Sequence, residues 1–172
     1  RRMQDDLADA GAWAVQQGGA DPRRVGGFGR SYGGYAVLMG AALWPDTLRC
    51  VVDGSGPVSL VSLVRSVPTP LPGQRAVWDR RVGSTEPGAE RARLEQASPL
   101  ALVDRIRVPV LVAQGENDSQ VKPAEVQQFA AALEKAGTPV TWVTYPDEGH
   151  ALSRPANAID FYARAAAHFA QC

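Results

Sequence analysis

A serine, an aspartate and a histidine stand in this 172-residue sequence where their chemistry could combine. Ser31 is the centre of Gly29-Arg30-Ser31-Tyr32-Gly33, a G-x-S-x-G string. Asp118 closes Gly115-Glu116-Asn117-Asp118, and His150 closes Asp147-Glu148-Gly149-His150. A serine hydroxyl attacks an acyl carbon effectively only when a base takes its proton, and a neutral imidazole can do so near neutral pH. A carboxylate must then fix the imidazole's tautomer and stabilise the positive charge it gains. The order Ser, Asp, His is the one found where the nucleophile sits on a strand-to-helix elbow.

Rival residues are few. The second histidine, His168, lies in Ala165-Ala166-Ala167-His168-Phe169 without polar company and is expected to be a structural or surface residue. Asp147 and Glu148 leave from the same loop as His150 and would have to curl back to reach its ring. They are expected to be a solvated acidic loop, which leaves Asp118 as the preferred partner.

These three residues need elements to carry them. Met3, Leu7, Ala10 and Ala14 repeat at helical spacing beside Trp13, and Gly18-Gly19 supplies a stop. Val25 to Phe28 is too glycine-rich for a helix and suits a buried strand. A serine in the sharp turn that follows requires glycine two positions to either side, where side chains would strike the strand or helix, and Gly34 adds room. Tyr35, Leu38, Met39, Ala42 and Leu43 then mark a helix ending near Pro45.

Cys50 to Val52 reads as a second strand. An excursion of different texture follows at about 58–97, with Pro68, Pro70, Pro72 and Pro87 among apolar residues. Val108 to Ala113 is a continuous apolar run of the kind buried on both faces of a parallel sheet. Val126, Phe129, Ala130 and Leu133 stripe a helix that stops at Gly137. Val140 to Tyr145 is the last strand, and Ile159, Tyr162, Ala166 and Phe169 stripe the last helix. Strands alternating with helices imply an α/β fold with a mostly parallel sheet of about four strands flanked by helices. In such sheets reactive residues gather at the carboxyl ends of strands, where Ser31, Asp118 and His150 all fall.

Bulk composition narrows the function. Eighteen basic and 18 acidic residues give a formal net charge of zero, with no footprint for nucleic acid. No apolar run is long enough to cross a bilayer and no signal-peptide pattern opens the chain, so no membrane partner is expected. Cys50 and Cys172 are too few for a disulfide framework and read as a buried thiol and a frayed terminus. The weak expectation for compartment is cytoplasmic.

Five strings together resemble the catalytic domain of the prolyl oligopeptidase family of serine peptidases, in particular its bacterial acylaminoacyl-peptidase-like and dipeptidyl-peptidase-like members. They are Ala20-Asp21-Pro22-Arg23-Arg24-Val25, Gly29-Arg30-Ser31-Tyr32-Gly33-Gly34-Tyr35, Ser98-Pro99-Leu100, Gln114-Gly115-Glu116-Asn117-Asp118 with Val121, and Tyr145-Pro146-Asp147-Glu148-Gly149-His150. The resemblance runs from about Asp5 to Phe169. It implies an α/β-hydrolase fold, Ser31 as nucleophile, Asp118 as orienter and His150 as base. It also implies cleavage of amide bonds in short peptides without metal or cofactor. Ester hydrolysis is the alternative on the same fold, and a catalytically impaired remnant acting only in association is another.

On that reading residues 1–172 are the C-terminal portion of a hydrolase domain, without the N-terminal strands and propeller of longer members. The Tyr32 N–H can supply one oxyanion donor, with the second expected from a tyrosine hydroxyl upstream. The elbow strand becomes an exposed edge, open to pairing with another chain. Gln120 stands where the family often has arginine. Val58, Leu60 and Trp78 in the excursion could line a pocket for the residue before the scissile bond, or pack as ordinary core beneath a lid. Arg30 is either part of the elbow or a plain surface side chain.

Overall fold

The computed structural model describes residues 2–67 and 73–172. Pro68, Pro70 and Pro72 of the excursion lie outside them. Four parallel strands form one sheet in the order β1 (Gly27–Arg30), β2 (Val51–Gly54), β3 (Val110–Gly115) and β4 (Val140–Tyr145). Helix α1 (Arg2–Gln16) precedes the sheet and α2 (Tyr32–Leu43) joins β1 to β2. Among the described residues of the excursion are three short helices, α3 (Leu60–Ser66), α4 (Gln74–Arg81) and α5 (Ala89–Gln96). Then α6 (Pro123–Lys135) joins β3 to β4, and α7 (Pro155–Ala170) closes the chain. No helix among the described residues is long and apolar enough to cross a membrane.

The two-residue period of the strands divides the core into two layers. Val51, Val110 and Val112 point to one face, where Leu38 of α2 and Val126, Phe129 and Leu133 of α6 cover them. Val52, Leu111 and Ala113 point to the other, against Phe161 and Ala165 of α7. All six residues of β3 are buried, as an inner parallel strand with both faces covered must be. The expected stripe of α6 is buried as read.

Four local expectations are corrected. β1 begins two residues later than its apolar run, pairing with β2 from Gly27↔Val51 through Arg30↔Gly54 up to the turn at Ser31. In α7 the inward face is Phe161 and Ala165, with Phe169 at its margin, whereas Ile159 is 70% exposed and Tyr162 and Ala166 face outward. Both faces of that helix carry apolar residues, so periodicity alone picked the wrong one. Met3, Leu7 and Ala10 of α1 are likewise exposed, and it is Gln4 that is buried.

The cysteines are the fourth. Cys50 and Cys172 form a disulfide across 122 residues, with Cα atoms 6.2 Å apart. The topology supplies the reason. A helix that follows the last strand runs back along the sheet, so the end of α7 arrives at the strand beginnings, where Cys50 precedes β2.

Candidate active site

The elbow is built by backbone constraint. Ser31 has φ 52° and ψ −124°, a conformation that a residue with a side chain rarely adopts. Its N–H donates to the Gly54 carbonyl at 2.8 Å, and its own carbonyl accepts from the Tyr35 N–H at 3.1 Å, so the turn is pinned to β2 and α2 together. A Cβ on Gly29 would stand 2.0 Å from the Gly33 carbonyl oxygen, and one on Gly34 2.0 Å from Asp53 Oδ1. Gly33, by contrast, has open space around its Cβ position. The steric demand therefore falls on Gly29 and Gly34, where the pentapeptide pattern had placed it on Gly29 and Gly33.

Ser31, His150 and Asp118 meet at the carboxyl ends of β1, β4 and β3. Nε2 of His150 lies 2.8 Å from Ser31 Oγ, and Nδ1 lies 2.8 Å from Asp118 Oδ2. The Asp118 side chain is fully buried and that of His150 is 18% exposed. Burial pushes the Asp118 carboxyl up, but hydrogen bonds from His150 and from the N–H groups of Val121 and Gln120 outweigh it and hold the group below the usual carboxylate range. It is thus an anion beside the imidazole.

The loops that present the pair are zipped to each other. Glu116 N–H donates to the Tyr145 carbonyl at 3.0 Å, Asn117 N–H to the Glu148 carbonyl at 2.9 Å, and Asn117 Nδ2 to the Pro146 carbonyl at 2.7 Å. A Cβ on Gly115 would lie 2.2 Å from the Gly149 carbonyl oxygen, so glycine there lets the histidine loop close on the aspartate loop.

Three residues matter here that the sequence pattern did not assign. Gln114 on β3 is fully buried, and its Nε2 donates to Asp118 Oδ2 at 3.0 Å and to the Val121 carbonyl at 3.3 Å. A glutamine at the end of an apolar strand was the available signal. Arg30 donates from Nη2 to the Ala151 carbonyl, tying the residue before Ser31 to the residue after His150. Glu148 is the third, and it corrects the expectation of a solvated acid. It is 1% exposed and accepts from Ser153 N–H at 2.8 Å, Arg154 N–H at 2.7 Å and Asn157 Nδ2 at 3.1 Å. Burial raises its pKa, yet these bonds leave it below the ordinary value. Asp147 is exposed and pairs with Arg154 at 2.9 Å, and no hydrogen bond links either acid to His150.

Below the elbow sits a second carboxyl. Asp53 on β2 is wholly buried. Its Oδ1 accepts from Gly56 N–H at 2.9 Å, and its Oδ2 has no partner. Desolvation dominates over that single hydrogen bond and pushes its pKa up to about 7.

Beside Ser31 opens a cleft of about 600 Å³ lined by Tyr32, Pro57, Leu60, Leu63, Trp78 and Gln120 among others. Leu60 and Trp78 thus reach the cleft. Val58 does not: it is 1% exposed and packs in the core with Leu38 and Val51. The Tyr32 N–H, in the first turn of α2, is one of the donors for which a helix supplies no acceptor of its own. Its position beside Ser31 makes it available to an oxygen bound there.

A parallel sheet with a strained serine elbow after one strand, and the aspartate and histidine loops after later ones, defines the class: this is the architecture of an α/β-hydrolase domain. The model of the prolyl oligopeptidase family matches residues 1–172. The chain is 40% identical to dipeptidyl peptidase family member 6 of Caenorhabditis elegans over 100% of its length, and 41% identical to dipeptidyl aminopeptidase BIII of Pseudoxanthomonas mexicana over 99%. It covers 23% and 25% of those two proteins, so it spans about a quarter of the length of the curated relatives it matches. Among solved structures, a puromycin-hydrolyzing peptidase of Mycobacterium tuberculosis superposes with a TM-score of 0.83 at 28% identity, over 96% of this chain and 25% of that one. The chain belongs to the prolyl oligopeptidase family.

Proposed function

We propose that this chain is the C-terminal portion of a peptidase catalytic domain and hydrolyses amide bonds in short peptides through an acyl-enzyme on Ser31. The observation that carries the reading is the unbroken relay of two 2.8 Å contacts from Ser31 Oγ through His150 to Asp118. Relatives named as dipeptidyl peptidases and acylamino-acid-releasing enzymes support an amide substrate.

His150 Nε2 takes the Ser31 proton as Oγ bonds to the carbonyl carbon, and Asp118 stabilises the imidazolium through Nδ1–H. The carbonyl oxygen, now an anion, receives the Tyr32 N–H. As the C–N bond breaks, the imidazolium gives its proton to the departing amine. Water then attacks the ester, with His150 again as base, and frees the acid and the serine. The apolar wall of Leu60, Leu63 and Trp78 suits an uncharged side chain next to the scissile bond.

A fluorophosphonate probe on the natural-length protein tests the nucleophile: labelling at Ser31, abolished in Ser31→Ala, is the expected result. A folded, unlabelled protein overturns the triad. Comparing aminoacyl amides with aryl esters separates a peptidase from an esterase. An inert oligomer supports the remnant reading instead.

A further inference from the structure

The strand beginnings, at the opposite end of the sheet from Ser31, hold a donor set that the hydrolytic site does not use. Sγ of Cys50, Sγ of Cys172 and a ring nitrogen of His168 lie within 4.8 Å of one another. His168 lies in the last turn of α7 and Cys172 two residues beyond its end, where the chain turns back so that the Cys172 N–H meets the Phe169 carbonyl at 3.4 Å. Cys50 is 1% exposed and precedes β2. Nε2 of His168 is buried and has no hydrogen-bond partner. A buried imidazole nitrogen without a partner is unfavourable unless something else satisfies it.

Two thiolates and an imidazole are the soft and borderline donors that select Zn²⁺, and three protein donors leave a fourth tetrahedral position for water. In the oxidised state described above the sulfurs are bonded to each other and cannot both bind a metal. Reduction frees them. Two thiolates on a tetrahedral zinc stand about 3.7 Å apart, against about 2 Å in a disulfide, a separation that small side-chain rotations supply.

We propose that this corner is a redox-exchangeable tether, a disulfide when oxidised and a Zn²⁺ site of Cys50, His168 and Cys172 when reduced. A dithiol reductant opens it. One thiolate of the reductant attacks a sulfur, the S–S bond breaks, and the second thiol closes the reductant into its own disulfide, leaving two protein thiols. Zn²⁺ then binds both sulfurs as thiolates and releases two protons, with no change in its oxidation state. Either link joins the same two elements, so α7 stays fastened to the start of β2 in both states. The Phe169 ring, packed so closely on Gly26 that a Cβ there would lie 2.5 Å from it, supplies an apolar wall beside the set.

The test uses Co²⁺ as the probe on the natural-length protein, one sample oxidised and one reduced with a phosphine, desalted without air. The reduced sample is expected to take up one Co²⁺ at this corner with a thiolate-to-cobalt charge-transfer band, and to surrender it to Zn²⁺. The oxidised sample lacks that band. His168→Ala and Cys172→Ser each weaken uptake at least about tenfold. Zn²⁺ protects both cysteines of the reduced wild type from alkylation, a readout that needs no variant to fold. Failure of the reduced protein to bind Co²⁺, equal binding by the oxidised protein, a band unchanged in Cys172→Ser, or cysteines alkylated equally with and without Zn²⁺ overturns the proposal.

Discussion

The rim formed by the ends of β3 and β4 and the free side of β1 are opposite solutions to the same problem of ending a sheet. At the rim, the aspartate and histidine loops bond to each other through backbone and side chain, and Gly115 lets them touch. At β1, Phe28 is 43% exposed. The apolar residues Met3, Leu7 and Trp13 of α1 are also exposed, Trp13 with 65% of its surface open. A groove between α1, α2 and β1 is lined by Leu7, Val25, Phe28, Val37 and Trp44. The rim is closed by local contacts within this chain, whereas the β1 side presents a face that the described residues leave open. Geometry at the rim should therefore be sensitive to single atoms, and the β1 side should not be.

The largest effect is expected from Asp118→Asn, which keeps the shape and removes the anion. It should lower kcat on the order of 10⁴-fold with the fold retained, read by steady-state kinetics and circular dichroism. A near-normal kcat would mean that the rim's order is structural only.

Titration comes next. Asp53 has its folded pKa raised to about 7, above its unfolded value, so the folded state binds the extra proton. Stability from this group is full below the unfolded carboxylate range and falls as pH rises towards 7. Asp53→Asn should remove that slope and stabilise the protein at pH 8 by up to about 4 kcal/mol, read by denaturant titration at several pH values. Asp118 and Glu148, held low, have the opposite sign: their contribution is present above the unfolded carboxylate pKa and is lost as pH falls through their folded values. A slope between pH 4 and 7 unchanged in Asp53→Asn would contradict the assignment.

Gly115→Ala against Gly33→Ala compares a closed position with an open one. The first should cost about 1–3 kcal/mol and about 10²-fold in kcat by pushing the His150 loop away. The second should be neutral or stabilise α2 by about 0.5–1 kcal/mol. The smallest effect is expected at the β1 side. Leu7→Gln with Trp13→Ser should change the stability of the 172-residue chain by no more than about 0.5 kcal/mol per site while reducing its self-association in sedimentation. A large loss of stability would show that α1 is seated by those residues after all.

Residues whose placement follows from a local pattern were legible in the sequence. The strained serine turn, the strand-end acid and the loop histidine each carry a signature within a few neighbours, and the order of the three fixed their pairing. What was not legible depends on the third dimension. Glu148 looks like any loop acid until α7 begins beneath it and brings Asn157 and the Ser153 and Arg154 N–H groups to its oxygens. Val58 and Leu60 are two residues apart, yet the turn into α3 sends one to the core and the other to the cleft. The apolar residues on both sides of α7 gave two consistent stripes, and only packing against β2 and β3 chooses Phe161. Nor can 122 residues of separation announce that Cys50 and Cys172 meet.

The positive φ of Ser31 has a consequence for what this position could become. A threonine would bring the same hydroxyl, but its branched β-carbon would crowd a backbone already outside the regions such residues tolerate. Cysteine, unbranched and of similar size, meets no such obstacle. The turn itself thus filters the side chains open to evolution here, admitting a thiol and refusing a secondary alcohol before reactivity is ever compared.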